Sequence, residues 1–427
     1  MPILTRNPVL EGLLQAHSER LCAYDHLSAT EIETAVDAGT MVLLANPNHT
    51  NVEPCLIGQP ARVKVNANLG NSMLINDVDM EMQKLALAQK AGAHTVMDLS
   101  TAGDLGAIRR RMLAESPLPL GTVPLYGVAQ NYIAKGADPS HFTTDELFEE
   151  IERQAEEGVD FMTLHCGLTA RGASFAGKGR RVLGIVSRGG SILARWMRRT
   201  GKENPLLDNY GKLLDICLKH NVTISLGDGL RPGAGPDAGD AAQWEEVITL
   251  GELTLKAWER GVQVMIEGPG HVPMHMVPSQ ITAMKRLTHG APLYVLGPLT
   301  TDTAAGHDHI AGAIGGALAA YHGADFLCYL TPAEHLTLPG PQDVWAGVKA
   351  SLIAAQSAET SLGRPWAKAA EMGISKARME LDWEAMRSFA LDPQIVRKRR
   401  EKHHGEKECA MCGAFCAIKM ATDPFTD

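Results

Sequence analysis

Eight short apolar runs, separated by segments of helical periodicity, constrain what this chain can fold into more than any other feature. They are VKVNANLG (63–70), TVMDLS (95–100), GTVPLY (121–126), DFMTLHCG (160–167), VTISLGDG (222–229), VQVMIEGPG (262–270), LYVLGPL (293–299) and DFLCYL (325–330). Continuous apolar runs of this length mark strands buried on both faces. The segments between them, such as DMEMQKLALAQKAGA and DELFEEIERQAEEG, set apolar residues at helical spacing. Carboxylates near their starts suit the positive end of a helix dipole. Eight strand–helix units over roughly 270 residues predict a (β/α)8 TIM barrel. An open doubly wound sheet is the competitor, but no glycine-rich dinucleotide loop follows the first strand. The segment LGIVSR (183–188) does not fit the count and reads as an extra hairpin or a ninth strand.

The remaining residues fall around that barrel. Residues 1–60 read as a small N-terminal region of helix and strand, 61–364 as the barrel, 365–402 as helices and 403–427 as a cysteine-bearing tail. The formal charge of -9 and pI near 6.0 exclude the basic footprint of a nucleic-acid binder. The single basic block RKRREKHH (Arg397 to His404) reads as a solvated helix end. No apolar run approaches the ~20 residues that cross a bilayer. The start MPILTRNPVLEGLLQAHSERL lacks the basic, apolar and small-residue order of a secretory signal. A cytoplasmic protein without membrane or nucleic-acid partners is expected, and there clustered cysteines point to metal or catalysis.

In such barrels the active site lies at the C-terminal ends of the strands. Those ends carry Asn66 and Asn68, Asp98 and Ser100, Tyr126, His165, Asp228 with Arg231, Glu267 with His271, Tyr294, and Glu334 with His335. Taken singly, His165 is equally a wall histidine and Asp228 equally a turn cap. Together, polar groups at nearly every strand end fit one polar small molecule held from all sides. SRGGS (187–191) opens the helix-like ILARWMRR, and such a start is either an anion site or a plain turn and cap. Arg231 in DGLRPG adds a second clamp for the same anion. EGPGHVPMH supplies His271 and His275, and PAEHL supplies His335. Imidazoles on two separated strand ends can share a divalent metal.

The tail is the sharpest feature. Cys409, Cys412 and Cys416 lie in a C-x2-C-x3-C pattern, one thiolate short of a closed zinc or iron–sulfur site. Three thiolates on a [4Fe-4S] cubane leave one iron open, as in clusters that bind S-adenosylmethionine and cleave it reductively. A zinc knuckle completed by His403 or His404 is the competing reading.

The stretches VNANLG, MDLSTAGDL, GTVPLY, GVDFMTLHCG, VLGIVSRGG, SLGDGLRPG, EGPGHVP, VLGPL, GADFLCYLTPAEH and CAMCGAFCAIK resemble the thiamin pyrimidine synthase (phosphomethylpyrimidine synthase) superfamily. The resemblance implies a radical S-adenosylmethionine lyase built on a (β/α)8 barrel. It implies 5-aminoimidazole ribotide as substrate, an electron donor of flavodoxin or ferredoxin type, and a homodimer. Matched by motif, substrate contacts would be Asn68, Met97, Tyr126, His165, Ser187, Arg188, Gly189, Asp228, Gly229, Leu230, Arg231, Glu267 and Tyr294. His271 and His335 would hold one zinc or iron ion, and Cys409, Cys412 and Cys416 the [4Fe-4S] cluster.

The sequence also departs from the pyrimidine synthase pattern. Ala102 stands where glycine is usual, Gly127 where glutamine is usual, and His307 where tyrosine is common; RPGAGPDAGD replaces another loop. If these changes surround the substrate, they favour the paralogue that makes 5-hydroxybenzimidazole for the cobalamin lower ligand. That reading is placed first, phosphomethylpyrimidine synthase of thiamin biosynthesis second, and a zinc-tailed nucleotide-binding barrel third.

Overall fold

A computed structural model describes residues 2–177, 180–403 and 405–422 of the chain. Two compact units divide it, Met1–Ala358 and Glu359–Asp427. In the first, strands β1 (Val42–Leu44) and β2 (Cys55–Ile57) form an antiparallel pair. Eight parallel strands follow: β3 (Lys64–Leu69), β4 (Thr95–Asp98), β5 (Leu120–Thr122), β6 (Phe161–Leu164), β7 (Thr223–Leu226), β8 (Val264–Glu267), β9 (Leu293–Leu296) and β10 (Phe326–Cys328). They pair in chain order, and β10 returns to β3 to close the barrel. Each of the eight apolar runs supplies one of these strands. The register sets Asn68 beside Met97 and Glu267 beside Tyr294, so side chains far apart in sequence share a level.

Local chemistry explains the boundaries. Thr143 and Glu146 form a capping box at the start of helix Thr144–Glu157, and Gly158 ends it at φ 105°, where a side chain would be strained. GTVPLY is shorter as a strand than its apolar length predicts. It stops at Thr122, because Pro124 takes the first position of helix Pro124–Ile133, where its missing N–H is not needed. LGIVSR is neither hairpin nor ninth strand. It is irregular and runs into helix Arg188–Thr200, whose Gly190 amide is capped by the Ser187 hydroxyl at 3.1 Å.

The N-terminal end of the barrel is closed. Helices Pro8–Asp25 and Ala29–Asp37 and the β1–β2 pair supply the cover. The Gln263 amide, just before β8, bonds both the N–H and the carbonyl of Leu43. Asp160, just before β6, accepts from the Asn46 amide at 2.8 Å. The Lys64 ammonium at the foot of β3 meets Asp25 at 2.6 Å, both fully buried. Phe161, Phe326 and Tyr294 fill the interior, with Tyr294 stacked on Phe326 at 4.3 Å between centroids. A Cβ at Gly121 would sit 2.3 Å from the Phe161 ring, so this strand yields its volume to the aromatic layer. Any ligand must therefore enter from the C-terminal mouth.

The second unit holds helices Pro365–Glu380, Trp383–Phe389 and Pro393–Arg400. The basic block is more than a solvated helix end. The Arg400 guanidinium lies 4.0 Å over the Trp383 ring and donates to the carbonyls of His403, Glu406 and Glu408. Trp383 donates to the Lys407 carbonyl at 3.0 Å. These contacts fix the backbone leading into Cys409. His404 lies outside the described residues. Among those described, no helix is long and apolar enough to cross a membrane.

Candidate active site

The strand ends enclose a cavity with about 520 Å³ of free space, its opening included. Of the expected substrate contacts, Asn68, Met97, Tyr126, His165, Ser187, Asp228, Arg231, Glu267 and Tyr294 line it. Arg188 lines an adjoining cavity of about 920 Å³, which shares Asn68, Tyr126 and Arg231 and reaches His335. Gly189, Gly229 and Leu230 line neither cavity. A Cβ on Gly189 would lie 2.2 Å from the His165 ring, and the Leu230 side chain is fully buried. What these three offer is close backbone approach.

One wall is a chain of hydrogen bonds across β3, β4, β9 and β10. Thr95 donates to Asn66 at 2.7 Å, and Asn66 donates to Asn68 at 2.8 Å and to the Tyr294 hydroxyl at 2.7 Å. Asn68 in turn points its amide at the Cys328 sulfur, 3.0 Å away. Burial pushes that thiol up to about 12, so it remains protonated. Because each member is held by its neighbour, the polar edge is fixed before a ligand arrives.

The opposite wall carries the charge. Glu267 Oε1 accepts from Thr163 at 2.6 Å and Ser225 at 2.9 Å, while Oε2 has only a long bond from the Asp228 N–H at 3.4 Å. Arg231 donates to Asp228 Oδ1 at 2.9 Å, and Asp228 Oδ2 is buried without a hydrogen-bond partner. Burial pushes the Asp228 carboxyl up to about 8, with Glu267 adding and Arg231 opposing. His165 lies 3.0 Å from the Ser187 hydroxyl; burial, helped by Arg231, brings it down to about 3 and keeps it neutral. The Arg188 guanidinium is exposed, 5.0 Å over the Tyr126 ring. Together with the capped helix start it makes a cationic corner beside the pocket.

Sequence reasoning missed the residues that hold the Asp228–Arg231 turn from behind. Arg181 is buried, pairs with Asp240 at 2.6 Å and donates to the carbonyls of Leu230 and Arg231. Glu246, also buried, accepts from the Leu230 N–H at 2.7 Å. Arg181 stands in a run of basic residues and glycines that reads as a surface loop, and Glu246 sits mid-helix. Only the strict rarity of unpaired buried charges would have marked them. Thr163 and Ser225 lie inside the strands, ahead of the end residues that the sequence singles out, and Cys328 reads as an apolar strand residue.

His271 and His335 come together, with ring centroids 5.2 Å apart. Asp302 meets His271 Nδ1 at 2.8 Å and Asp308 meets His335 Nδ1 at 3.4 Å. Each contact engages Nδ1 and leaves Nε2 for an ion, the usual second partner of a metal-bound histidine. His335 adopts φ 60°, a left-handed conformation that costs a non-glycine residue of order 1–3 kcal/mol. This donor set fits a shared divalent ion. His275, also singled out in the sequence, sits in a 3-10 turn at Met274–Met276.

The cysteine segment forms a tight turn in which the N–H groups of Cys412 and Gly413 both reach the Cys409 carbonyl. The backbone N–H groups of Cys412 and Met411 lower the pKa of the Cys409 thiol, the direction that a cluster ligand requires. All three thiols are free. Three free thiols gathered on one short turn-forming segment fit an iron–sulfur cluster.

Three of the positions that depart from the pyrimidine synthase pattern lie elsewhere, whereas the loop RPGAGPDAGD begins at Arg231, which lines both cavities, and its Gly235 N–H donates to Asp302, the partner of His271. None of Ala102, Gly127 and His307 lines either cavity. Gly127 faces Glu150, 2.8 Å from where its Cβ would be, and His307 precedes helix Asp308–Tyr321. The expectation that these changes surround the substrate is therefore corrected for Ala102, Gly127 and His307.

The profile of the radical SAM ThiC family matches residues 7–423. The chain belongs to the radical SAM ThiC family. A phosphomethylpyrimidine synthase from Desulforamulus reducens is 48% identical over 96% of this chain and 95% of its own. One from Carboxydothermus hydrogenoformans is 48% identical over 97% of each, and phosphomethylpyrimidine synthase 2 from Syntrophotalea carbinolica is 45% identical over 96% of each. A looser likeness is to a solved dihydropteroate synthase of Xanthomonas albilineans: 13% identity, TM-score 0.44, covering 76% of this chain and all of that one. As a member of the radical SAM ThiC family the protein is a radical S-adenosylmethionine lyase, with S-adenosylmethionine and an iron–sulfur cluster as its cofactors.

Proposed function

We propose that this protein is a phosphomethylpyrimidine synthase acting on 5-aminoimidazole ribotide. The observation that carries the choice is the 45–48% identity to phosphomethylpyrimidine synthases over nearly the whole chain, joined by where three of the four sequence departures fall. Their supposed place around the substrate was the reason for putting the 5-hydroxybenzimidazole paralogue first. With Ala102, Gly127 and His307 outside both cavities, and with relatives at 45–48% identity named phosphomethylpyrimidine synthase, the paralogue ranks second.

In this reading the phosphate rests at the capped start of helix Arg188–Thr200, on free backbone amides, with Arg188 swinging from Tyr126 to meet it. Arg231, braced by Arg181 and Glu246, positions the ribose. Glu267 offers Oε2 to the imidazole amine, and Asn68 and Tyr294 set the ring plane. His165 stays neutral, so it accepts or donates a hydrogen bond without adding charge. The closed foot of the barrel and the aromatic layer keep water from the reacting ring. Cys409, Cys412 and Cys416 would hold the cluster, which would supply the electron for reductive cleavage of S-adenosylmethionine. His271 and His335 hold a divalent ion at the mouth. A homodimer and a flavodoxin- or ferredoxin-type donor complete the proposal.

The test is ribotide-dependent release of 5′-deoxyadenosine by anaerobically reconstituted protein with a reductant. Release that rises sharply when the ribotide is added supports the reading. Release that is absent, or indifferent to the ribotide, contradicts it.

A further inference from the structure

Two adjacent barrel helices meet at the face opposite the mouth. Helix Thr144–Glu157 leads into β6, and helix Tyr210–His220 leads into β7. Glu152 and Glu156 are four residues apart and so project from one face of the first helix. His220 is the last residue of the second, before Asn221 turns the chain at φ 52°. A carboxylate oxygen from each glutamate and a ring nitrogen of His220 all lie within 4.8 Å of one another. Among the described residues this is the one histidine, cysteine or carboxylate group of three or more so gathered.

An acidic pair alone would mean little, since exposed glutamates are common. His220 changes the argument. It is only 8% exposed, and its Nε2 is sealed from solvent with no hydrogen-bond partner. Leaving a buried polar group unpaired costs about 1–3 kcal/mol, and a helix-terminal histidine could avoid this by turning into water. The glutamates meanwhile draw a cation already. Lys219 Nζ lies 3.1 Å from Glu152 and 3.6 Å from Glu156. Lys219 is exposed on a flexible stem and can leave.

We propose that Glu152, Glu156 and His220 form a binding site for a zinc-class divalent cation, distinct from the histidine pair at the mouth. The imidazole nitrogen beside two carboxylates suits zinc better than magnesium or calcium, which take oxygen ligands. Ligand bonds of about 2.0–2.2 Å require donor atoms within roughly 4.4 Å of one another, so small rotamer shifts complete the site. The ion would join the ends of two helices just ahead of the strands that carry Thr163, His165 and the Asp228 turn.

The experiment is zinc titration of the full chain against a chromophoric chelator, in a background carrying His271→Ala and cysteine-to-serine changes at 409, 412 and 416. One remaining site is expected. His220→Ala and the double change Glu152→Gln/Glu156→Gln should each weaken it at least tenfold. Lys219→Ala should tighten it several-fold by removing the competing ammonium, a gain that misfolding cannot mimic. Zinc affinity that none of these changes moves, or no site in that background, would overturn the proposal.

Discussion

Replacing Gly190 with alanine adds one methyl group where helix Arg188–Thr200 crosses the Asp228–Arg231 turn. The new Cβ would lie 2.4 Å from the Gly229 carbonyl oxygen and 2.8 Å from its Cα. Both partners are backbone, and Arg181 and Glu246 pin that backbone from the other side. Two effects compete. Alanine in a helix is favoured over glycine by about 0.8–1 kcal/mol. Overpacking a filled site costs about 1–3 kcal/mol, and rigid neighbours place this one at the upper end. The clash wins by about 1–2 kcal/mol. Gly211 provides the control. It lies in helix Tyr210–His220 with nothing within 4 Å of its would-be Cβ, so only the helical gain of about 0.5–1 kcal/mol remains. Denaturation followed by tryptophan fluorescence should thus shift in opposite directions for the two variants. Calorimetry should show weaker ribotide binding for Gly190→Ala alone, because Ser187 and Arg231 are pushed apart. If Gly190→Ala is as stable as Gly211→Ala and binds ribotide like the parent, the close crossing is not what shapes the site.

Anaerobic reconstitution should give brown protein with about four irons per chain. Alanine at Cys409, Cys412 or Cys416 should abolish cleavage of S-adenosylmethionine while leaving the barrel's unfolding midpoint unchanged. Asp302→Asn should weaken zinc binding at the His271–His335 pair by about 10–100-fold, read by zinc titration with His271→Ala as the reference for complete loss. Asp228 should make stability pH-dependent. Its folded carboxyl, held at about 8 against an ordinary 3.8, keeps a proton that the unfolded chain releases. Stability is therefore greatest below the lower value and falls as pH rises through this window. Asp228→Asn should flatten that part of the slope in denaturation midpoints measured across it; an unchanged slope would refute the assignment.

The barrel was legible because its strands are buried on both faces, and eight apolar runs therefore survive as a count. Two features escaped. The strand GTVPLY was read too long, since Val123, Pro124 and Leu125 are as apolar in a helix start as in a strand. LGIVSR was read as regular structure because its apolar residues pack in an irregular crossing. The site was legible at the strand ends, where His165, Asp228, Glu267 and Tyr294 stand within or just after apolar runs. It was illegible behind them. Arg181 and Glu246 act through backbone atoms of another loop, and no spacing in the chain connects residue 181 to 230 or 246. The reach of His271 to His335 came from resemblance, because sixty residues of sequence give no distance. Conversely, the substitutions at Ala102, Gly127 and His307 suggested a remodelled pocket only while their places were unknown.

The reaction product separates the two readings most directly. Reconstituted protein incubated anaerobically with 5-aminoimidazole ribotide, S-adenosylmethionine and a reductant should yield hydroxymethylpyrimidine phosphate, identified by chromatography against a standard with mass detection. Formation of 5-hydroxybenzimidazole in its place would contradict the account and return the sequence departures to the centre of the question.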